Sequence, residues 1–203
     1  MANLQSVYSN VANVTVMDTP VTKPGGVTDI KAVNATTGQV VLSWVAPADI
    51  EGATVAKYEV GRIVDEAFVM DQEVVALTAT IVVKPGTTVS DLAIVTVDSD
   101  GDKSDPVTIP AVHTRPSAPV ITAESNAAGV AVITATVTVA DGENANVDTV
   151  AVYRKDGDSY TPEAGAVIAG SAGSYTATIS GLTPGATYDF VAVAVHSAGT
   201  LVE

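Results

Sequence analysis

The chain has 203 residues, 47% of them hydrophobic but only 4% aromatic, with 9 basic side chains against 23 acidic ones, two histidines and no cysteine. A formal net charge of -14 opposes nucleic acid, whose affinity rests on Lys and Arg displacing counterions, and anionic membranes, which attract the same cations. The missing thiols exclude a disulfide framework, a thiolate nucleophile and a cysteine-ligated zinc site.

At the amino terminus, Met1 to Thr22 holds no Lys or Arg, and its apolar residues are separated by Asn, Ser, Thr and Gln. A secretory signal needs a basic start and an apolar run of about 7 to 15 residues, so none is expected here. No stretch approaches the roughly 18 uninterrupted apolar residues of a membrane helix. Asn10 to Met17 alternates like a strand, and Val11, Val14 and Val16 are its candidate assembly contacts. The segment Pro20-Val21-Thr22-Lys23-Pro24-Gly25-Gly26 divides this arm from the first domain.

Short runs of β-branched residues at period two then predict strands. The first are Val40 to Val45 and Lys57 to Arg62, followed by Ala79 to Val83, Ala93 to Val97 and Val107 to Val112. In the second half they are Val130 to Val139, Thr149 to Arg154, Tyr175 to Ser180 and Tyr188 to Val195. Turns stand between them at Lys84-Pro85-Gly86, Asp100-Gly101-Asp102, Asp141-Gly142-Glu143, Asp156-Gly157-Asp158 and Thr183-Pro184-Gly185, where Pro fixes φ and Gly tolerates positive φ. A Pro-rich joint, His113-Thr114-Arg115-Pro116-Ser117-Ala118-Pro119, predicts a stiff linker between two domains. The boundaries expected are an arm over 1–22, a first domain over 23–115 and a second over 116–203. The halves repeat: Val83-Lys84-Pro85-Gly86-Thr87-Thr88-Val89 matches Leu182-Thr183-Pro184-Gly185-Ala186-Thr187-Tyr188. Regular short strands of this kind predict sandwiches or barrels.

The stretch Tyr175 to Val195, with Leu182-Thr183-Pro184-Gly185-Ala186-Thr187-Tyr188-Asp189-Phe190 at its centre, resembles the E strand, E–F turn and F strand of the fibronectin type III family. Val40-Val41-Leu42-Ser43-Trp44-Val45-Ala46-Pro47 resembles its B strand with the buried Trp, while Lys57 to Arg62 and Val152 to Gly157 are similar to its C strand. The resemblance covers Pro24 to the carboxyl end. It implies an all-β fold of two tandem fibronectin type III-like (immunoglobulin-like) sandwiches behind an extended N-terminal arm. It also implies core positions for Trp44, Tyr58, Tyr153, Tyr188 and Phe190, with Tyr188 at the tyrosine corner. Val89 stands where the first domain's corner Tyr would be, and Asp98 arrives one position late, which suggests a bulge in strand F. After His196-Ser197-Ala198-Gly199 only Thr200 to Glu203 follow, so a short last strand is expected, with Leu201 as a further candidate assembly contact. A short last strand leaves an edge open to pairing. Two readings of the arm stay open: it folds back on its own domain, or it is donated to a neighbour.

Candidate chemistry is sparse. Asp98, Asp100 and Asp102 have the spacing of a calcium loop's first ligands, but Gly101 is fourth where that loop wants Gly sixth, so a hairpin turn is expected and no metal or other cofactor is assigned. His113 and His196 are the two conventional bases, and neither has the sequence companions of a hydrolase. No catalytic residue is assigned. Tyr8, Phe68, Tyr160 and Tyr175 are left as candidate exposed rings, too scattered for a glycan platform. The function expected is a non-enzymatic structural protein on a virus particle, a bacteriophage head decoration or tail surface protein held by its arm. Its expected partners are other virion or surface proteins, itself through strand donation, and a host-surface glycan, with neither nucleic acid nor membrane. The rivals are a secreted or cell-surface adhesion or spacer module and an accessory carbohydrate-binding unit.

Overall fold

A computed structural model describes residues 23–48 and 54–198. The candidate assembly contacts Val11, Val14, Val16 and Leu201, together with Tyr8, lie outside the described residues.

The first domain packs two sheets face to face. One has the order β1-β2-β5, from Thr28–Thr36, Gln39–Val45 and Thr78–Val82. The other has the order β4-β3-β7-β8, from Ala67–Val74, Val55–Val64, Leu92–Asp98 and Val107–Thr108. A short pair, β6 (Thr88–Val89) with β9 (Val112–His113), closes one end. Alternation explains the core: along β2 the side chains of Val40, Leu42 and Trp44 turn inward while Val41 and Ser43 are half-exposed. Trp44 is 4% exposed and meets Tyr58 edge to face, with ring centroids 5.3 Å apart, a geometry that contributes about 0.5–1.5 kcal/mol beyond the area the rings bury.

One expected strand proves to be two. Val107 to Val112 contains Pro110, which has no N–H to donate to a ladder. The chain therefore pairs with β7 through Val107 and Thr108, then crosses to pair Val112 and His113 with β6. The irregularity anticipated at Asp98 sits on the opposite strand: Val55 and Lys57 face Asp98 and Val97, so Ala56 is the extra residue of β3. At Val89, where no corner Tyr is present, the side chain is buried and its backbone pairs with Val112.

The second domain repeats the plan with one sheet β10-β11-β15-β14, from Val120–Ala127, Val130–Thr136, Ser174–Ser180 and Val167–Ser171. Its other sheet is β13-β12-β16, from Ser159–Pro162, Val147–Asp156 and Asp189–His196. The repeated turns are equivalent in detail, since Val83 N–H bonds the Gly38 carbonyl and Leu182 N–H bonds the Gly129 carbonyl, both at 3.0 Å. Gly86 and Gly185 both have positive φ, 59° and 81°.

The aromatic residues distribute unequally. The fully buried ring of the second domain is Tyr175, whose hydroxyl donates to the Val147 carbonyl at 3.1 Å, so it is no surface ring. Tyr153, Tyr188 and Phe190, expected in the core, are half-buried. Tyr153 alternates with the inward-facing Val150 and Val152 and so faces away from the core. Tyr188 does carry the corner bond, its hydroxyl accepting from Thr183 N–H at 3.0 Å, but its ring lies under the Arg154 guanidinium. Phe190 packs at the rim of the core cluster.

Candidate functional site at the interdomain joint

The densest polar construction outside the sheets lies where the domains meet. From the first domain comes the turn Lys84-Pro85-Gly86-Thr87, which follows β5. From the second comes the loop between β11 and β12, a single 3-10 turn over Ala140–Gly142 leading to Asn144. Asn144 is 1% exposed and adopts φ 51°, a conformation that Asn tolerates better than most residues. Its backbone N–H donates to the Pro85 carbonyl at 2.6 Å, and Asn146 N–H donates to the Gly86 carbonyl at 2.9 Å. The Asn144 side chain is used at both ends, Oδ1 accepting from Ser117 N–H at 2.9 Å and Nδ2 donating to the Thr138 carbonyl at 2.6 Å. Lys84 Nζ adds a bond to the Asp141 carbonyl.

The linker is anchored from the other side by Thr114, which has no exposed surface. Its hydroxyl accepts from Thr87 N–H at 2.9 Å and lies 2.8 Å from the Lys84 carbonyl, to which it donates. Its own N–H donates to the Thr87 carbonyl at 2.8 Å. Gly86 N–H reaches the Arg115 carbonyl at 3.2 Å, and Pro116 is buried. The segment expected as a stiff linker is thus built into both domains. Each such bond contributes a net ~1 kcal/mol, and each buried group left unpaired costs about 1–3 kcal/mol.

Both histidines are drawn into this joint. His113, on β9, and His196, at the end of β16, have ring centroids 5.1 Å apart. His113 Nδ1 is 3.0 Å from Thr88 Oγ1. His196 is 3% exposed, and its Nδ1 accepts from Ala198 N–H at 3.0 Å, which assigns the ring proton to Nε2. That nitrogen lies toward the Thr87 carbonyl without a full hydrogen bond among the described residues. Burial holds the His196 pKa below the ordinary imidazole value; the Thr87 carbonyl partly offsets this, and His113 adds to the depression. The pair faces across the joint and serves its packing.

Asp98 uses its carboxylate locally. Oδ1 accepts from Asp100 N–H at 3.0 Å and Asp102 N–H at 2.9 Å, the bonding of an Asx turn. Among the described residues no three His, Asp or Glu side chains stand together as metal ligands. Phe68 is half-buried and Tyr160 exposed, each on its own strand. The joint carried no signal recognisable in sequence beyond its prolines, because Asn144 matters through its neighbours in space and belongs to no local motif.

The domains differ at one edge. In the first, β7 is buried along its whole length because β3 covers one side and β8 the other. The corresponding β16 pairs only with β12 among the described residues, and Val193 is 44% exposed. Tyr188 and Phe190 line an open groove there with Glu124, Gly129, Leu182 and Pro184.

No protein-family model matches the sequence, and no curated protein sequence matches it. Solved structures resemble it in fold. A two-domain fibronectin type III segment of chicken tenascin is 17% identical with a TM-score of 0.50, covering 85% of this chain and 92% of that one. The chitinase ChiA74 from Bacillus thuringiensis is 20% identical with a TM-score of 0.39, covering 93% of this chain. The central fibronectin type III array of RIM-binding protein is 16% identical with a TM-score of 0.37, covering 85% of this chain. This chain spans 29% of that chitinase and 64% of that array. The fold is that of tandem fibronectin type III-like sandwiches.

Proposed function

We propose that the chain is a non-enzymatic spacer and attachment module, two sandwiches locked end to end, displayed on the outside of a bacteriophage particle and attached through residues 1–22. The observation that carries the spacer reading is the joint itself. Independent domains on a tether move relative to one another by default, whereas here Asn144 and Asn146 tie the second domain's loop to the first domain's turn through backbone groups, and Thr114 fastens the linker to that same turn. Such a construction has value where a fixed reach and direction matter. The acidic balance, 23 acidic against 9 basic side chains, supports display in many copies, since like charges keep neighbouring particles apart.

Immunogold labelling and quantitative mass spectrometry of particles purified from a lysate of the source test the location. A fixed copy number per particle is expected, and the position of the gold separates head from tail. Recovery only from the cell envelope or the particle-free supernatant would replace this reading with the secreted or cell-surface module. Tyr160, exposed on β13, is the ring best placed for a host-surface glycan; binding on a glycan array that survives Tyr160→Ala would remove it from that role.

A further inference from the structure

Edge strands are a hazard that proteins blunt with charge, bulges or a covering segment. The β16 edge has none of these between its ends: Phe190-Val191-Ala192-Val193-Ala194-Val195 is uncharged, and its free side carries no partner among the described residues. The first domain shows what such an edge accepts. There the covering segment is Val107-Thr108-Ile109, antiparallel to β7, with Thr108 opposite Ala93 and Val107 opposite Ile94. Val107 packs on the core and Ile109 is buried within it.

The same pattern recurs at Val95-Thr96-Val97 in β7, at Val137-Thr138-Val139 just after β11, and as Val14-Thr15-Val16 in the arm, the copy that belongs to neither domain. Residues 2 to 17 carry no charged side chain, in a protein of net charge -14. An uncharged, alternating segment and an uncharged edge, open among the described residues, are therefore matched in a molecule whose remaining surface repels its copies.

Which copy supplies the arm depends on reach. Lys23, where the arm joins, is ion-paired with Asp105 beside the β7–β8 hairpin. His196, the nearest residue of β16, lies at the opposite end of the first domain against His113. Asp105 stands level with Tyr58, so β3 runs about six residues from there to that end, about 20 Å, and the place of Val16 opposite Phe190 lies six residues further along β16, about 20 Å more. The chain from Val16 to Lys23 covers at most about 25 Å even fully extended, so it falls short of that place on the arm's own β16.

We infer that the arm of one copy adds as a strand to the β16 edge of a second copy, Val14-Thr15-Val16 taking the place that Val107-Thr108-Ile109 takes on β7. Core-facing Ala192 pairs with core-facing Val152 as Ile94 pairs with Val60, which sets Val14 opposite Ala192 and Thr15 opposite Val191. The interface is head to tail, so it propagates into rings or filaments unless capped. This deepens the attachment reading by naming what the arm binds, and it concerns the purified chain alone.

The chain has no cysteine, which makes cross-linking clean. Full-length Thr15→Cys is mixed with full-length Val191→Cys under mild oxidation, with Ser159→Cys on the β13 edge as the control acceptor. A disulfide-linked band at twice the chain mass, formed with Val191→Cys and absent with Ser159→Cys, is the expected result. Sedimentation velocity of the unmodified chain should show concentration-dependent oligomers that deletion of residues 2–17 abolishes, with the thermal transition unchanged. Equal cross-linking to both acceptors would overturn the inference, as would a monomer at every concentration. So would an intrachain disulfide between Val191→Cys and Val202→Cys that blocks the arm, since the chain's own carboxyl segment would then hold the edge. Absence from virus particles, by contrast, would count against the location and leave this result untouched.

Discussion

The repeated Pro-Gly turns provide an internal comparison for the joint. Gly86 and Gly185 occupy the same turn position and both have positive φ, so replacing either by Ala imposes the same backbone penalty, about 1–2 kcal/mol. Their surroundings differ. A Cβ on Gly185 meets nothing within 4 Å, whereas one on Gly86 falls 2.6 Å from Asn144 Oδ1 and 2.7 Å from its Cα. The second contact is with backbone and has no rotamer to relieve it, so Gly86→Ala forces the loop away and weakens the bonds from Asn144 N–H to Pro85 and from Asn146 N–H to Gly86. Two backbone hydrogen bonds contribute a net ~1–3 kcal/mol, which brings Gly86→Ala to about 2–5 kcal/mol against about 1–2 for Gly185→Ala. In a domain of this size each kcal/mol moves the thermal midpoint by about 4–8 °C, so calorimetry resolves the two variants. Spin labels on engineered cysteines, one per domain, should report a narrow interdomain distance distribution in the parent and in Gly185→Ala, and a broadened one in Gly86→Ala. Equal stability losses, or an unbroadened distribution in Gly86→Ala, would show that the joint does not couple the domains.

Thr114→Val keeps the shape of a buried side chain but strips the acceptor of Thr87 N–H and the donor to the Lys84 carbonyl; a loss of about 1–3 kcal/mol should appear as a lowered urea midpoint with an unchanged slope. Acid should weaken the joint through His196. Its folded pKa lies below the ordinary value of about 6.5, so its contribution is complete above that pH and is lost as pH falls toward the folded pKa, while the unfolded chain takes up the proton first. The thermal midpoint measured from pH 8 to pH 5 should therefore fall more steeply in the parent than in His196→Gln, and parallel curves would refute the assignment. Asp98→Ala removes the acceptor of two backbone N–H groups and should cost roughly 1–2 kcal/mol, whereas adding calcium or a chelator to the parent should leave the thermal midpoint where it was.

Legibility in the sequence followed burial. The strands that read clearly, such as Val40 to Val45 and Tyr175 to Ser180, have one face on the core and alternate accordingly. Those with no readable pattern were β1, β4, β10, β13 and β14, and all five are sheet edges. An edge strand is held on one side by its neighbour's backbone, so its side chains answer to solvent as much as to the core. β10 carries Glu124, Ser125 and Asn126 and is exposed at nearly every position, while β4 passes through Asp71, Gln72 and Glu73. Backbone pairing placed these strands, and backbone is identical in every sequence.

The aromatic residues show the complementary limit. A motif fixes a residue's position in the chain but not the cover over it, and Tyr188 and Phe190 stand where the resemblance puts core residues but are half-buried beside a β16 edge that has no partner among the described residues. Tyr175, with no motif of its own, is the buried ring because it faces inward at the centre of a four-stranded sheet, between β11 and β14. The joint is harder still to read: Asn144 lies 58 residues from Gly86 in the chain, and its partners are carbonyls and N–H groups of Pro85, Ser117 and Thr138. Only the spatial meeting of a Pro-Gly turn from one domain with a positive-φ Asn from the other gives those residues a role. A sequence change that preserved every strand and abolished Asn144 would leave two sandwiches intact and remove the feature that makes them a single reach.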